Sequence, residues 1–144
     1  MQTKEPLVVY QRHFSKNIYQ LFGLLLILGL NVSIAGSDIT RAMRHVFLDW
    51  RATLPTYAFV LFCDVVLFIP SLLQVKRIGY FDDRLEIETL FWKSKVTWPD
   101  IIRFWQPAYV KVAALKTKRG LFLINPKDID GFEDLVGKVK EKLA

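Results

Sequence analysis

The segment NIYQLFGLLLILGLNVSIAG, residues 17–36, and the segment LPTYAFVLFCDVVLFIPSLLQV, residues 54–75, decide the architecture of this chain. Neither contains Lys or Arg, and Asp64 is the single acid in the two together. A helix rising about 1.5 Å per residue needs about 20 apolar residues to cross about 30 Å of hydrocarbon, so each segment predicts one membrane-spanning helix. The expectation is an α+β membrane protein in three parts. An N-terminal arm covers residues 1–16, a two-helix transmembrane hairpin covers 17–75, and a polar domain covers 76–144.

Working outward from the hairpin, the connecting residues 37–55 place Ile39, Met43, Val46, Phe47, Trp50 and Leu54 at helical spacing after a Ser37 or Asp38 cap. That pattern predicts an amphipathic helix lying along the membrane interface. Lys4, Arg12 and Lys16 ahead of an apolar run, with Ser33 and Ala35 as small residues near its end, also fit a signal peptide. The run is long for a signal-peptide core, and it is read here as a membrane helix. Lys4, Arg12, Lys16, Lys76, Arg77, Arg84, Lys93 and Lys95 flank the hairpin on one side, against Arg41, Arg44 and Arg51 in the connecting loop. This asymmetry predicts a multi-pass protein of the inner (cytoplasmic) membrane with both termini in the cytoplasm.

Asp64 falls near the middle of the second segment, where a carboxylate costs about 2.5 to 3.5 kcal/mol on insertion scales. Its depth corresponds to about Leu26 on the first helix, with Asn31 about a turn away, so the hairpin alone offers it no basic group. Contact with a polar or cationic group of another membrane protein is expected, with a protonated acid hydrogen-bonded within the hairpin, a little-perturbed residue near a water defect, or a proton path as alternatives. Gly29, Ser33 and Gly36 form a strip of small residues that permits close helix approach, either within the hairpin or from a partner. Pro70 removes its own N–H donor and should distort the second helix.

Composition divides at Lys76. The whole chain has 144 residues, 52% of them hydrophobic, a mean hydropathy of +0.24 and a net charge of +6. The apolar residues concentrate before Lys76 and the charges after it, so the basic balance belongs to the arm and the polar domain. With no run of five or six like charges, the pattern favours anionic lipid headgroups over nucleic acid. Cys63 is the only cysteine, which excludes an intrachain disulfide and a cysteine metal cluster.

Past Arg77 the period changes to two. Short strands are predicted over 78–81, 85–91, 96–98, 101–105, 110–116 and 121–124, with turns at Asp82 and Asp83, at residues 93–95, and at residues 116–120. Glu86 and Glu88 share one exposed face and read as solubilising charges. Phe132, Leu135, Val136, Val139 and Leu143 then mark an amphipathic closing helix, with Asp130 and Glu133 spaced as a capping box. Leu7, Val8, Val9 and Tyr10 form a strand-like run suited to a sheet edge.

Three motifs carry a family resemblance: Tyr80-Phe81-Asp82-Asp83-Arg84-Leu85, Val96-Thr97-Trp98-Pro99-Asp100-Ile101, and Leu123-Ile124-Asn125-Pro126-Lys127 before the terminal helix. Over residues 78–143 the chain resembles the bacterial PH-like domains, especially the YcxB-like group. The resemblance implies a small antiparallel PH-like half-barrel with a C-terminal capping helix, in which the turn at residues 98–101 joins two strands. It implies no reaction. The nearest counterparts of a PH-type headgroup site are Lys93 and Lys95 at one turn and Lys116, Lys118 and Arg119 at another, with Lys76 and Arg77 beside the membrane. Phe91, Trp92, Trp98, Phe104 and Trp105 are assigned to packing or to the membrane interface.

His13 and His45 fall on opposite sides of the expected membrane, and the metalloprotease, nucleophile-elbow and phosphate-loop motifs are missing from the sequence. No enzyme activity, cofactor or metal is therefore expected. The expected function is a non-catalytic membrane-anchored accessory, scaffold or assembly subunit. Its expected partners are other integral membrane proteins or a second copy, met through Asp64, Gly29, Ser33 and Gly36. The alternative is a lipid-responsive module that binds anionic headgroups through the seven basic residues named above.

Overall fold

The computed structural model describes residues 5–43 and 50–144, and these form two compact units. One comprises Tyr19–Ser71, and the other joins residues before 19 to those after 71.

The first unit is helical. Helix α1 covers Phe14–Met43 and α2 covers Trp50–Cys63, followed by a π-helical turn over Asp64–Phe68 and the short α3 over Ile69–Leu73. Two stretches, Phe14–Arg41 and Thr53–Leu73, are long and apolar enough to cross a membrane, with mean hydropathies of 2.0 and 2.1. The helix α1 runs straight through Ser37 and Asp38, where a separate interfacial helix was expected to begin. A side-chain cap acts only where the backbone leaves the helix, and here the ladder continues, with Thr40 Oγ1 donating to the Gly36 carbonyl at 2.8 Å. Residues 44–49 of the expected interfacial helix lie outside the described residues. The π-turn has a local cause. Pro70 has no N–H and its ring collides with the carbonyl four residues back in a regular helix. The preceding turn widens, and the Ile69 N–H reaches the Asp64 carbonyl instead.

The second unit begins with strand β1 (Val8–Gln11) and resumes with β2 (Val75–Tyr80), β3 (Arg84–Thr89), β4 (Lys93–Thr97), β5 (Ile101–Trp105), β6 (Ala113–Thr117) and β7 (Gly120–Ile124), ending in helix α4 (Phe132–Leu143). One antiparallel sheet has the order β1-β2-β3-β4 and the other β5-β6-β7. The alternation along β3 turns Leu85, Ile87 and Thr89 inward and leaves Glu86 and Glu88 half-exposed. Ile78, Tyr80, Leu85, Ile87 and Val96 of the first sheet meet Leu115, Phe122 and Ile124 of the second in one core. Phe132, Leu135 and Val139 of α4 join the same core. Each fully buried side chain of this kind contributes about 1.5 to 3 kcal/mol relative to exposure.

Four local details differ from the sequence expectation. Residues 93–95, expected as a turn, open strand β4, and the turn falls at residues 90–92. Strand β6 starts at Ala113, not Val110, because the chain turns after Pro107, whose carbonyl accepts from the Val110 N–H at 3.4 Å. The Asp130 capping box does not form. Gly131 occupies the N-cap position of α4 at φ +76°, a conformation open to Gly at little cost, and no side chain caps the helix. The packing assignment of the aromatics holds for Trp98 and Phe104, which lie against the core, whereas Phe91 and Trp92 stand 56% and 38% exposed at the β3–β4 turn.

The N-terminal arm is a structural part of the polar unit. Strand β1 pairs antiparallel with β2, setting Val8 opposite Tyr80 and Tyr10 opposite Ile78. Residues flanking the helical unit on both sides in sequence therefore belong to one sheet.

Candidate functional site

Polar side chains that could form a site lie in three places: the carboxylate within the helical unit, the basic residues of the sheets, and the buried charges around the arm.

In the helical unit, Leu24, Val60 and Cys63 are the buried apolar residues. On the same face of α1 as Leu24, Asn31 Nδ2 donates to Asp64 Oδ1 and to the Ile27 carbonyl, both at 2.9 Å. The sequence reading favours a partner outside the hairpin for Asp64 and keeps a hydrogen bond within it as an alternative; the structure makes that internal bond, with Asn31. A register estimated from residue counts places Asn31 a turn away. Further along the pair, Gln20 Nε2 donates to the Ser71 carbonyl. Gly29, Ser33 and Gly36 are exposed, and a Cβ added at Gly29 or Gly36 would meet nothing within 4 Å. At about 100° per residue the strip lies roughly 150° around α1 from Asn31. Asp64 and the small-residue strip therefore form two separate surfaces, not one.

Most of the basic candidates have acidic neighbours in the sheet. Strand register sets Lys95 opposite Glu86 and Lys93 opposite Glu88. Glu88 lies 3.5 Å from Lys76 and 3.4 Å from Lys93, while Glu86 lies 3.2 Å from Arg84 and 3.7 Å from Lys95. Arg77, Glu86, Glu88, Lys93 and Lys95, with Pro6 and Phe81, line a depression of about 220 Å³ floored by Gly79. A Cβ at Gly79 would stand 3.3 Å from the Phe81 ring. Alternating sign makes this surface a poor trap for a lone phosphate. Lys118 pairs with Asp100 at 3.4 Å. The Thr97 hydroxyl, and next Lys118, hold the Asp100 carboxyl below its ordinary value. Arg77, Lys116 and Arg119 are exposed.

The arm brings buried polar and charged groups together, and the sequence reading did not single them out. Tyr10, 2% exposed, donates its hydroxyl to Asp134 Oδ2. Lys138 Nζ lies 2.8 Å from the same oxygen and 3.2 Å from the Tyr10 hydroxyl. Burial first, and Asp134 second, push the Tyr10 phenol above its ordinary value, so it stays protonated and is no nucleophile. The side chain of Arg12, 7% exposed, meets that of Asp128, 9% exposed, at 3.2 Å. Lys16 stands 3.8 Å from Asp128, and Asn125 Nδ2 donates to it at 3.1 Å. Burial lowers the Arg12 guanidinium from its ordinary value against the pull of Asp128. Nearby in sequence, Asn17 is 6% exposed, and neither its Nδ2 nor its Oδ1 has a hydrogen-bond partner among the described residues. One signal was available beforehand: acids and bases in the arm and in the 128–138 segment. Their pairing was not, because it spans more than a hundred residues of chain.

Among the described residues, no three His, Cys, Asp or Glu side chains are grouped to hold a metal ion. The polar network around Tyr10 is closed and acts as a clamp between β1 and α4. Comparison with known proteins returns no matching family model, no matching curated protein and no matching solved structure.

Proposed function

We propose that this chain is a non-catalytic, membrane-anchored accessory or assembly subunit that docks into a larger membrane complex through its helical hairpin. In this reading α1 and the α2–α3 stretch cross the inner membrane as a hairpin, and the sheet unit stays on the cytoplasmic side with both termini. Pairing of β1 with β2 supports a common side for the two ends of the hairpin, and the Lys and Arg asymmetry supports the cytoplasmic one. The polar unit is read as a PH-like, helix-capped half-barrel, supported by its four-stranded and three-stranded sheets sharing a core with α4.

One observation carries the functional reading. Asp64 is half-exposed in the middle of an apolar stretch, and among the described residues only its Oδ1 accepts a hydrogen bond. In the sheet unit, by contrast, the buried charges of Arg12 and Asp128 meet each other. The lipid-binding alternative has weaker support, since Lys76, Lys93, Lys95 and Lys118 each have a carboxylate within 4.0 Å. Extraction of the tagged chain in mild detergent, followed by mass measurement and mass spectrometry, tests the proposal. A stoichiometric complex with another membrane protein is expected. Recovery of a lone monomer from every native membrane preparation would refute it.

A further inference from the structure

We propose that Asp64 and Asn31 form an acceptor site for an ammonium group, a lysine side chain presented at mid-membrane depth by a helix of another protein. This deepens the accessory-subunit reading and rests on it. The Ile27 carbonyl can only accept, so its contact with Asn31 Nδ2 fixes the amide with the nitrogen inward. The second Nδ2 hydrogen goes to Asp64 Oδ1. Asp64 Oδ2 and Asn31 Oδ1 remain as acceptors with no donor among the described residues.

The matching charge must come from outside, because residues 17–36 and 54–75 contain no Lys or Arg. Access is open from the outer surface: Leu61 and Val65, flanking Asp64, are 63% and 53% exposed, whereas Cys63 faces the seam. The π-turn forced by Pro70 begins at Asp64, so the carboxylate sits where the helix is locally widened. Chemistry favours lysine over arginine. A guanidinium fork binds best to both oxygens of one carboxylate, and the bond from Asn31 already occupies one acceptor site of Oδ1 and crowds its inner side. An ammonium with three freely rotating donors can serve Asp64 Oδ2 and Asn31 Oδ1 separately.

The test reconstitutes the full chain in phosphatidylcholine vesicles with a fluorescent Leu/Ala host helix carrying one central Lys, Arg or Leu. Energy transfer from a dye on the chain reports association. The Lys host should associate about tenfold more tightly than the Leu host, the size of an interhelical polar contact in membranes, and the Arg host should fall between. Asp64→Leu and Asp64→Asn should reduce the Lys host to the Leu-host level, and Asn31→Leu should give a partial loss. Unchanged β2 amide protection in the variants shows that they are folded. Equal binding of the Lys and Leu hosts overturns the proposal, as does a Lys preference that survives Asp64→Asn. Transfer between two copies of the chain that Asp64→Leu abolishes would assign the site to self-association and overturn it as well. A native complex unaffected by Asp64→Leu would remove this site yet leave the accessory role standing. Lys-host binding without any native complex would do the opposite.

Discussion

Replacing Tyr10 by Ala should loosen the polar unit more than any other single change in the arm. The ring is 2% exposed, lies opposite Ile78 across the sheet, and sits so close to Gly131 that a Cβ there would be 3.3 Å from it. Truncating a buried aromatic to Ala costs about 3 to 5 kcal/mol through lost transfer energy and the cavity left behind. The hydroxyl adds its bond to Asp134, and a bond of this type contributes about 0.5 to 1.5 kcal/mol net. Domains have about 5 to 15 kcal/mol in total, so Tyr10→Ala should bring the unit near its unfolding threshold. Tyr10→Phe, which keeps the ring, should cost only the hydrogen-bond share. Urea unfolding of the full chain in detergent gives both values. Hydrogen exchange at the β2 amides facing β1 shows whether the strand has come away. If Tyr10→Ala shifts stability by less than about 0.5 kcal/mol and leaves β2 protected, the arm is no part of the folded core and the argument fails.

Two further outcomes follow from the same region. Lys138 is held above its ordinary 10.5 by Asp134 and then by Tyr10, and the Tyr10 phenol above 10.0 mainly by burial. Both stabilising contributions are complete below about pH 10 and decline as pH rises through the raised folded values; a urea-midpoint series from pH 7 to 11 should show that decline, flattened in Asp134→Asn. The Asp134 carboxyl is held below 3.8 by Lys138 and then Tyr10, so its contribution is present above that value and is lost as pH falls through the lowered one. Asn17 is buried with both amide atoms unpaired among the described residues, and an unpaired buried group costs about 1 to 3 kcal/mol. Asn17→Leu should therefore leave thermal stability unchanged or raise it, and a clear loss would show that the amide has a polar partner.

Local pattern made much of this chain readable in advance. Long apolar runs predicted the two hydrophobic helices, alternation predicted the strands from β2 to β7 in their order but with displaced bounds at β2, β4 and β6, and the 3.6-residue spacing of Phe132, Leu135 and Val139 predicted α4. What escaped were relations between distant segments and competitions between local signals. Ser37 and Asp38 are good caps by type, yet the helix continues past them. Asp130 and Glu133 have capping-box spacing, but Gly131 takes the N-cap position in a left-handed conformation. Whether Asp64 finds its partner inside or outside the hairpin stayed open in the sequence, because a residue count cannot set helix register to within the turn that brings Asn31 to it. The basic candidates looked free because cross-strand pairing, which sets Lys93 and Lys95 opposite Glu88 and Glu86, depends on a turn geometry that the residue types alone do not determine. Tyr10, Arg12 and Asp128 carried no motif and became visible only when the arm was placed against β2 and α4.

The pairing of β1 with β2 imposes an order on biogenesis. A ribosome makes Val8–Gln11 early, but the edge that receives this strand, Val75–Tyr80, emerges only after both apolar helices have been synthesised. Until then Tyr10 has no pocket and the first strand must wait unpaired while the apolar helices are made. Closure of the four-stranded sheet is thus a checkpoint: the sheet unit cannot mature ahead of the apolar segment inserted in it, and a truncated translation product ending within that segment leaves a sticky, solitary strand for quality control to recognise.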